Sequence, residues 1–141
     1  MRHILLFIGI ALILSHCSQE HKHQKAPYDG SKVQINGSLL KEGVPVFYSF
    51  QDGKERIHFF VLKIKSEIHS YFDACRECYR NKLGFRYEDG KLICNACNEL
   101  YSIYNLKDGL GGCYPIKLKG TLNGTIYEID KESLMKGKKY F

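Results

Sequence analysis

The fold and the chemistry of this chain depend on residues 74–98, which read ACRECYRNKLGFRYEDGKLICNACN. The segment holds two Cys-x-x-Cys pairs, and fifteen residues separate the first pair from the second. A two-residue spacer lets one tight turn direct both sulfur atoms at a single ion, and this overall spacing is typical of four-thiolate metal sites. The Asp89-Gly90 step between the pairs is typical of a hairpin turn, which would bring the second pair back beside the first. The predicted ligands of this zinc-ribbon-like hairpin are Cys75, Cys78, Cys94 and Cys97.

The spacing predicts a site without identifying its metal, because four thiolates suit zinc, a single iron ion or an iron–sulfur cluster. Two other interpretations of the same cysteines stay open. In an oxidising compartment they could form two disulfides, or one pair could act as a thioredoxin-like dithiol, although the usual strand–helix setting is not visible. Covalent haem is excluded, because Tyr79 and Asn98 stand where its Cys-x-x-Cys-His motif requires histidine.

A fifth cysteine, Cys113, follows the glycine pair Gly111-Gly112 and precedes Tyr114-Pro115. Two glycines allow the backbone to turn tightly and to approach another group closely. Beside a four-thiolate site, Cys113 could be an extra or exchanging ligand, a ligand of a second metal ion or a redox partner. It could also be a buried structural cysteine.

Outside the hairpin, apolar residues recur mainly at every second position, which is typical of β-strands. Two further steps, Asp52-Gly53 and Asn123-Gly124, predict hairpin turns between neighbouring strands. The predicted strands are 44–50, 56–65, 68–72, 84–88, 91–94, 121–122 and 125–129, followed by a short helix at 131–136 capped by Asp130. We therefore predict a mainly β, antiparallel domain that carries the cysteine-rich hairpin as an insertion.

The amino terminus has the features of an export signal or anchor. Ile4–Leu14 is an apolar run of 11 residues after the basic Arg2, whereas a spanning helix needs about 20. The run has the length of a signal-peptide core. Cys17 resembles the lipidated cysteine of a bacterial lipoprotein, although His16 stands where a small residue is usual; an uncleaved anchor and plain secretion stay open. The predicted divisions are a signal segment at 1–17, a polar linker at 18–31 and a metal-binding domain at 32–141.

The composition limits the classes of partner and of reaction. The 141 residues include 21 Lys and Arg against 15 Asp and Glu, a net charge of +6, and the basic residues are spread along the chain. Nucleic acid is therefore not expected as a partner, whereas an anionic membrane surface suits this charge. A Ser–His–acid set and a phosphate-binding loop are both missing from the sequence. We expect a metal-binding or electron-transfer protein rather than an enzyme.

Five stretches of the chain carry a more specific pattern: Ile57–Lys63, Phe72–Tyr79, Lys82–Tyr87, Leu92–Cys97 and Gly111–Ile116. Their motifs run in the order Asp-Ala-Cys-x-x-Cys, Cys-x-x-Cys and Gly-Gly-Cys-x-Pro. This order resembles the FtrD-like family of membrane iron–sulfur-containing proteins. Where that family often has asparagine before the last proline, this chain has Tyr114.

The resemblance implies a cysteine-ligated metal centre, with iron–sulfur as the first expectation, on a membrane-attached protein. The export signal adds the expectation that the protein is anchored in the bacterial cell envelope and faces away from the cytoplasm. The resemblance also implies a membrane iron permease or redox protein as partner, and a role in electron transfer or iron handling. Zinc and mononuclear iron stay as alternatives, because an iron–sulfur cluster would have to be assembled after export. A structural zinc-ribbon-like module and a thiol–disulfide oxidoreductase are the alternative functions. The ligand set that the resemblance implies is Cys75, Cys78, Cys94, Cys97 and Cys113.

Other residues are expected to support this site. Asp73 lies two residues before Cys75, where it could accept hydrogen bonds from the amides of the turn or order the turn. His58 is expected to be a packed or surface histidine on a strand. The tyrosines expected to cover the site and exclude water are Tyr71, Tyr79, Tyr87, Tyr101 and Tyr104.

Overall fold

The structure, a computed structural model, describes residues 23–108 and 112–141. The predicted signal segment, with the candidate lipidation site Cys17, lies outside the described residues, as does Gly111. Within the described ranges the chain is mainly β, with antiparallel sheets and one short α-helix, so the predicted fold class is confirmed at that level. The elements are β1 (Gln24–Lys25), β2 (Lys32–Asn36), β3 (Val46–Asp52), β4 (Glu55–Ile64), β5 (Glu67–Cys75), β6 (Phe85–Glu88), β7 (Lys91–Cys94), β8 (Leu100–Ser102), β9 (Pro115–Leu118), β10 (Thr121–Asn123), β11 (Ile126–Asp130) and α1 (Lys131–Met135).

These strands form three sheets. The central sheet has the order β1-β3-β4-β5-β9, and the cysteine sheet has the order β6-β7-β8. A third sheet has the order β10-β11-β2. All pairs of neighbouring strands are antiparallel except β1 and β3, which are parallel. The hairpins predicted at Asp52-Gly53, Asp89-Gly90 and Asn123-Gly124 join β3 to β4, β6 to β7 and β10 to β11.

Strand β4 separates two hydrophobic cores, because successive side chains of a strand point to opposite faces of the sheet. Phe59 and Val61 belong to a first core with residues of β2, β11 and α1. Phe60 and Leu62 belong to a second core with residues of the cysteine sheet. All four side chains are fully buried, and each such burial contributes about 1.5–3 kcal/mol. The cysteine sheet is therefore held by one face of the central sheet.

The described part of the predicted linker packs on the domain. Strand β1 pairs with β3, and the amide of Ala26 donates to the carbonyl of Ser49 at 2.9 Å. Ala26 is buried, and the ring of Tyr28 meets Phe50 edge-on at 5.0 Å. Over residues 24–28 the chain is therefore attached to the edge of the central sheet. The polar composition of this stretch did not indicate these contacts, because β1 is held through backbone groups of the sheet edge.

Helix α1 begins where the sequence predicted it, but its start is held differently. The side chain of Asp130 makes no capping hydrogen bond, and its Oδ1 instead lies 3.7 Å from Lys32 Nζ. The amide of Lys131 donates to the carbonyl of Ser31 at 3.2 Å. Ser31, just before β2, and Lys32, at its start, therefore contact the residues at the beginning of the helix. In the part of the chain that the structure describes, every helix is too short or too polar to cross a membrane.

Candidate metal centre

The cysteines come from three places that the fold brings together. Cys75 ends β5, and Cys78 lies in the turn after it. Cys94 ends β7, and Cys97 lies in the turn after that strand. Cys113 comes just before β9, whose Pro115 pairs with Cys75 where the β5–β9 register shifts. This pairing brings Cys113 to Cys78, with the two sulfur atoms 3.7 Å apart.

The five thiols form two groups of three that share one cysteine. Within each group the sulfur atoms all lie within 4.8 Å of one another. The inner group contains Cys75, Cys78 and Cys94, and the outer group contains Cys78, Cys97 and Cys113. The structure thus brings together the sulfur atoms of all five cysteines predicted as ligands. They form two overlapping groups of three, whereas the two Cys-x-x-Cys pairs predicted one group of four. All five are free cysteines, so the disulfide interpretation is not the state that the structure describes.

The turn after β7 is shaped to present two thiolates. The amides of Ala96 and Cys97 act to lower the pKa of the Cys94 thiol, and the amide of Glu99 acts to lower the pKa of the Cys97 thiol. The turn closes because the amide of Asn98, at a φ of 58°, donates to the carbonyl of Cys94 at 2.8 Å. Amide donors stabilise the charged form of a thiol. The local backbone therefore stabilises the thiolate form of both cysteines, which is the form that binds a cation.

The turn after β5 is attached to the segment that carries Cys113. The amide of Arg76 donates to the carbonyl of Tyr114 at 3.0 Å, and its guanidinium also donates to the Tyr114 hydroxyl. The amide of Asn81 donates to the carbonyl of Cys78 at 3.0 Å. These contacts fix the position of Cys78 relative to Cys113, although 35 residues separate them in sequence.

The thiols differ in burial and in pKa. Cys75 and Cys94 are buried, Cys78 and Cys113 are half-buried, and Cys97 is exposed. Burial raises the pKa of Cys94 to about 11 and the pKa of Cys113 to about 12, and burial together with the neighbouring thiols raises the pKa of Cys78. Burial alone would raise the pKa of Cys97. The combined opposite effect of the Glu99 amide and of the thiols of Cys94, Cys113 and Cys78 is larger, so the pKa of Cys97 is lowered. A bound cation would displace the protons of the buried thiols.

Asp73 links the two cysteine pairs through backbone contacts. Its buried carboxylate accepts a hydrogen bond from the amide of Phe85 at 2.7 Å, and Phe85 pairs with Cys94 across β6 and β7. A Cβ added to Gly84, whose φ is 59°, would lie 2.6 Å from both carboxylate oxygens. The expected amide partner therefore belongs to β6 rather than to the cysteine turn.

A pair of histidines lies against Asp73 and was not recognised from the sequence as a unit. His23 Nε2 lies 2.8 Å from Asp73 Oδ2, and the rings of His23 and His58 are 4.2 Å apart. Burial and the nearby His23 lower the pKa of His58, whose Nδ1 is buried without a hydrogen-bond partner among the described residues. Because fifty residues separate His23 from Asp73, no local spacing could have indicated their contact. His58 is packed, as expected.

Three of the five predicted covering tyrosines lie in the same core as the buried cysteines. Tyr71 and Tyr101 are buried there, and Tyr87 packs against the cluster. Burial raises the pKa of Tyr71 to about 12 and also raises the pKa of Tyr101. The prediction was wrong for the other two, because Tyr79 packs on the first core and Tyr104 is exposed.

The fold and the thiol groups define a mainly β protein with a cysteine-lined candidate metal centre on one face of its central sheet. A comparison with protein-family models matches residues 39–141 to the family described as "Membrane iron-sulfur containing protein FtrD-like". The match covers most of the chain, and the chain belongs to the FtrD-like family, as its motifs had indicated. Searches of curated proteins and of solved structures gave no match.

Proposed function

We propose that this protein is a membrane-anchored metalloprotein of the bacterial cell envelope, whose cysteine centre serves electron transfer or iron handling. The observation that supports this proposal best is the convergence of five free thiols from three separate segments. Thiolates are the ligands of iron–sulfur clusters and of zinc, so the donor set fits both groups. The description of the family favours iron–sulfur.

The cysteines of the chain would have different roles in such a centre. Cys75 and Cys94 hold their ligand atoms inside a core from which water is excluded, and amides of the β7 turn stabilise the negative charge on sulfur. An iron–sulfur cluster bound there supplies one-electron chemistry. Cys97, the exposed thiol, marks the side on which a partner could approach the centre. The partner that fits this arrangement is a membrane iron permease or a membrane redox protein in a separate chain.

The binding of metal is tested by purifying the chain without oxygen and measuring iron, zinc, acid-labile sulfide and visible absorption. We expect bound metal in wild type, with the visible bands of thiolate-bound iron if the centre is iron–sulfur. A Cys94→Ser variant is expected to bind less metal, because its ligand atom is fully buried and nothing replaces it. A wild-type protein that contains no metal, and whose thiols become titratable only after reduction, would favour the disulfide or dithiol functions.

The anchor is tested separately. We propose that Cys17 is lipidated and that its acyl chains hold the domain at the membrane. A Cys17→Ser variant is expected to move from the membrane fraction to the released fraction while keeping its metal. Retention of this variant in the membrane fraction would instead support an uncleaved amino-terminal anchor, and its appearance in the medium together with wild type would support plain secretion.

A further inference from the structure

We infer that the cysteine centre is binuclear: it binds two metal ions, and the sulfur of Cys78 is a ligand of both. This inference rests on the proposed function, because it assumes that the cysteines bind metal. The observation behind it is the division of the thiols into an inner and an outer group that have only Cys78 in common.

The distances fit direct binding of one ion by each group. With metal–sulfur bonds of about 2.3 Å, two sulfurs on one ion lie about 3.8 Å apart in a tetrahedral arrangement and about 4.0 Å apart in a trigonal one. Cys78 and Cys113 are 3.7 Å apart, and no separation within either group exceeds 4.8 Å. Small side-chain adjustments would therefore close each group of three around its own ion.

A single bound ion would leave some of these five thiols without a metal. An ion bound by the inner group alone would use Cys75, Cys78 and Cys94, and two further thiols would be held beside Cys78 without binding anything. A single ion bound by the four thiolates of the two Cys-x-x-Cys pairs would still leave Cys113, whose sulfur lies 3.7 Å from that of Cys78, without a metal. An ion bound by the outer group would leave the two fully buried thiols unused. The contacts of Arg76 with Tyr114 show that the fold actively holds the Cys113 segment against the first cysteine turn.

The charge balance of the five thiols also favours two bound ions over one. Two divalent ions offset four thiolate charges, whereas one ion offsets two and leaves the remaining thiols protonated or repelling one another. A sulfur shared by two cations also reduces the number of anions that must be placed in the core, where uncompensated charge is costly. Cys78 lies between the buried and the exposed thiols and is the group that can be shared.

The two ions would differ in their surroundings. The inner group contains the buried Cys75 and Cys94, whereas the outer group contains the exposed Cys97. The inner ion would therefore be shielded from water and exchange slowly. The outer ion would have three protein ligands and a position open to solvent or to a partner. We expect the inner ion to bind first and the outer ion to be removed first by a chelator.

The experiment counts ions bound to the reduced, metal-free full-length protein after loading with Co²⁺ without oxygen, using native mass spectrometry. We expect two Co²⁺ per chain in wild type, one in Cys75→Ser, one in Cys113→Ser and none bound tightly in Cys78→Ser. We also expect the paramagnetic resonance signal of the two-ion form to be weaker than the sum of two one-ion signals, because a shared sulfur couples the ions. Circular dichroism of each variant shows whether it is folded.

The outcomes separate this inference from the proposed function. If wild type binds no Co²⁺, the binuclear inference is overturned, and the proposed function is overturned as well if the protein purified without oxygen contains no metal. If wild type binds only one Co²⁺, the centre is mononuclear, and only the binuclear inference is overturned. If Cys78→Ser is folded and still binds two ions, Cys78 is not shared, and the inference also fails. If Cys78→Ser does not fold, Cys97→Ser takes its place, because Cys97 is exposed and its loss is expected to remove the outer ion alone.

Discussion

A Phe60→Ala variant is expected to lose about 3–5 kcal/mol of its free energy of unfolding and to bind metal more weakly. Phe60 is fully buried on the face of β4 that supports the cysteine sheet. Its ring contacts Phe47 and Tyr71 at 5.3 Å and Phe85 at 6.3 Å between centroids. Removal of the ring would leave a cavity beneath β6, whose Phe85 lies opposite Cys94. Urea unfolding and a competition titration with a chelator would measure the two effects.

The adjacent residue provides a matched control. Phe59 is also fully buried, but it belongs to the first core on the other face of the central sheet. A Phe59→Ala variant should lose a comparable amount of stability, because the same volume is removed from an equally buried position. Its metal affinity should fall less than that of Phe60→Ala. Equal losses of affinity in the two variants would show that the metal centre responds to global stability and not to the core beneath it.

The sequence predicted those parts of the structure that depend on local chemistry. The Asp-Gly and Asn-Gly steps marked three hairpins, because these residue pairs tolerate the positive φ angles of tight turns. The two apolar faces of β4 predicted its central place in the sheet. The Cys-x-x-Cys pairs predicted the two turns that present sulfur atoms. In each case a few neighbouring residues carried the information.

The parts that the sequence did not predict depend on contacts between distant residues. Cys113 reaches Cys78 only because β9 pairs with β5 and the register shifts at Cys75, and no spacing encodes that shift. The contact of His23 with Asp73 depends in the same way on the pairing of β1 with the sheet edge. The division of five thiols into two groups is therefore a property of the fold, while the identity of the thiols is a property of the sequence.

The second large effect is expected at Gly84, which lies between the first cysteine turn and β6. Its φ of 59° is a left-handed conformation, and a side chain there costs about 1–2 kcal/mol. An added Cβ would also lie 2.6 Å from both oxygens of the buried Asp73 carboxylate. Asp73 would have to move away from the Phe85 amide, and a buried group left without its partner costs a further 1–3 kcal/mol or so. A Gly84→Ala variant should therefore lose more than about 2 kcal/mol of its free energy of unfolding.

A second glycine in the same region separates the backbone cost from the contact with Asp73. Gly90, in the hairpin between β6 and β7, has a φ of 75°, and an added Cβ would meet no atom within 4 Å. Gly90→Ala should show the backbone cost alone and keep the metal affinity of wild type. Gly84→Ala should lose both stability and affinity, because the carboxylate that it displaces holds β6, and with it Cys94, against the strand that ends in Cys75. If unfolding curves and chelator titrations of the two variants coincide, Asp73 does not couple the two cysteine pairs, and its contact with β6 contributes nothing to the metal centre.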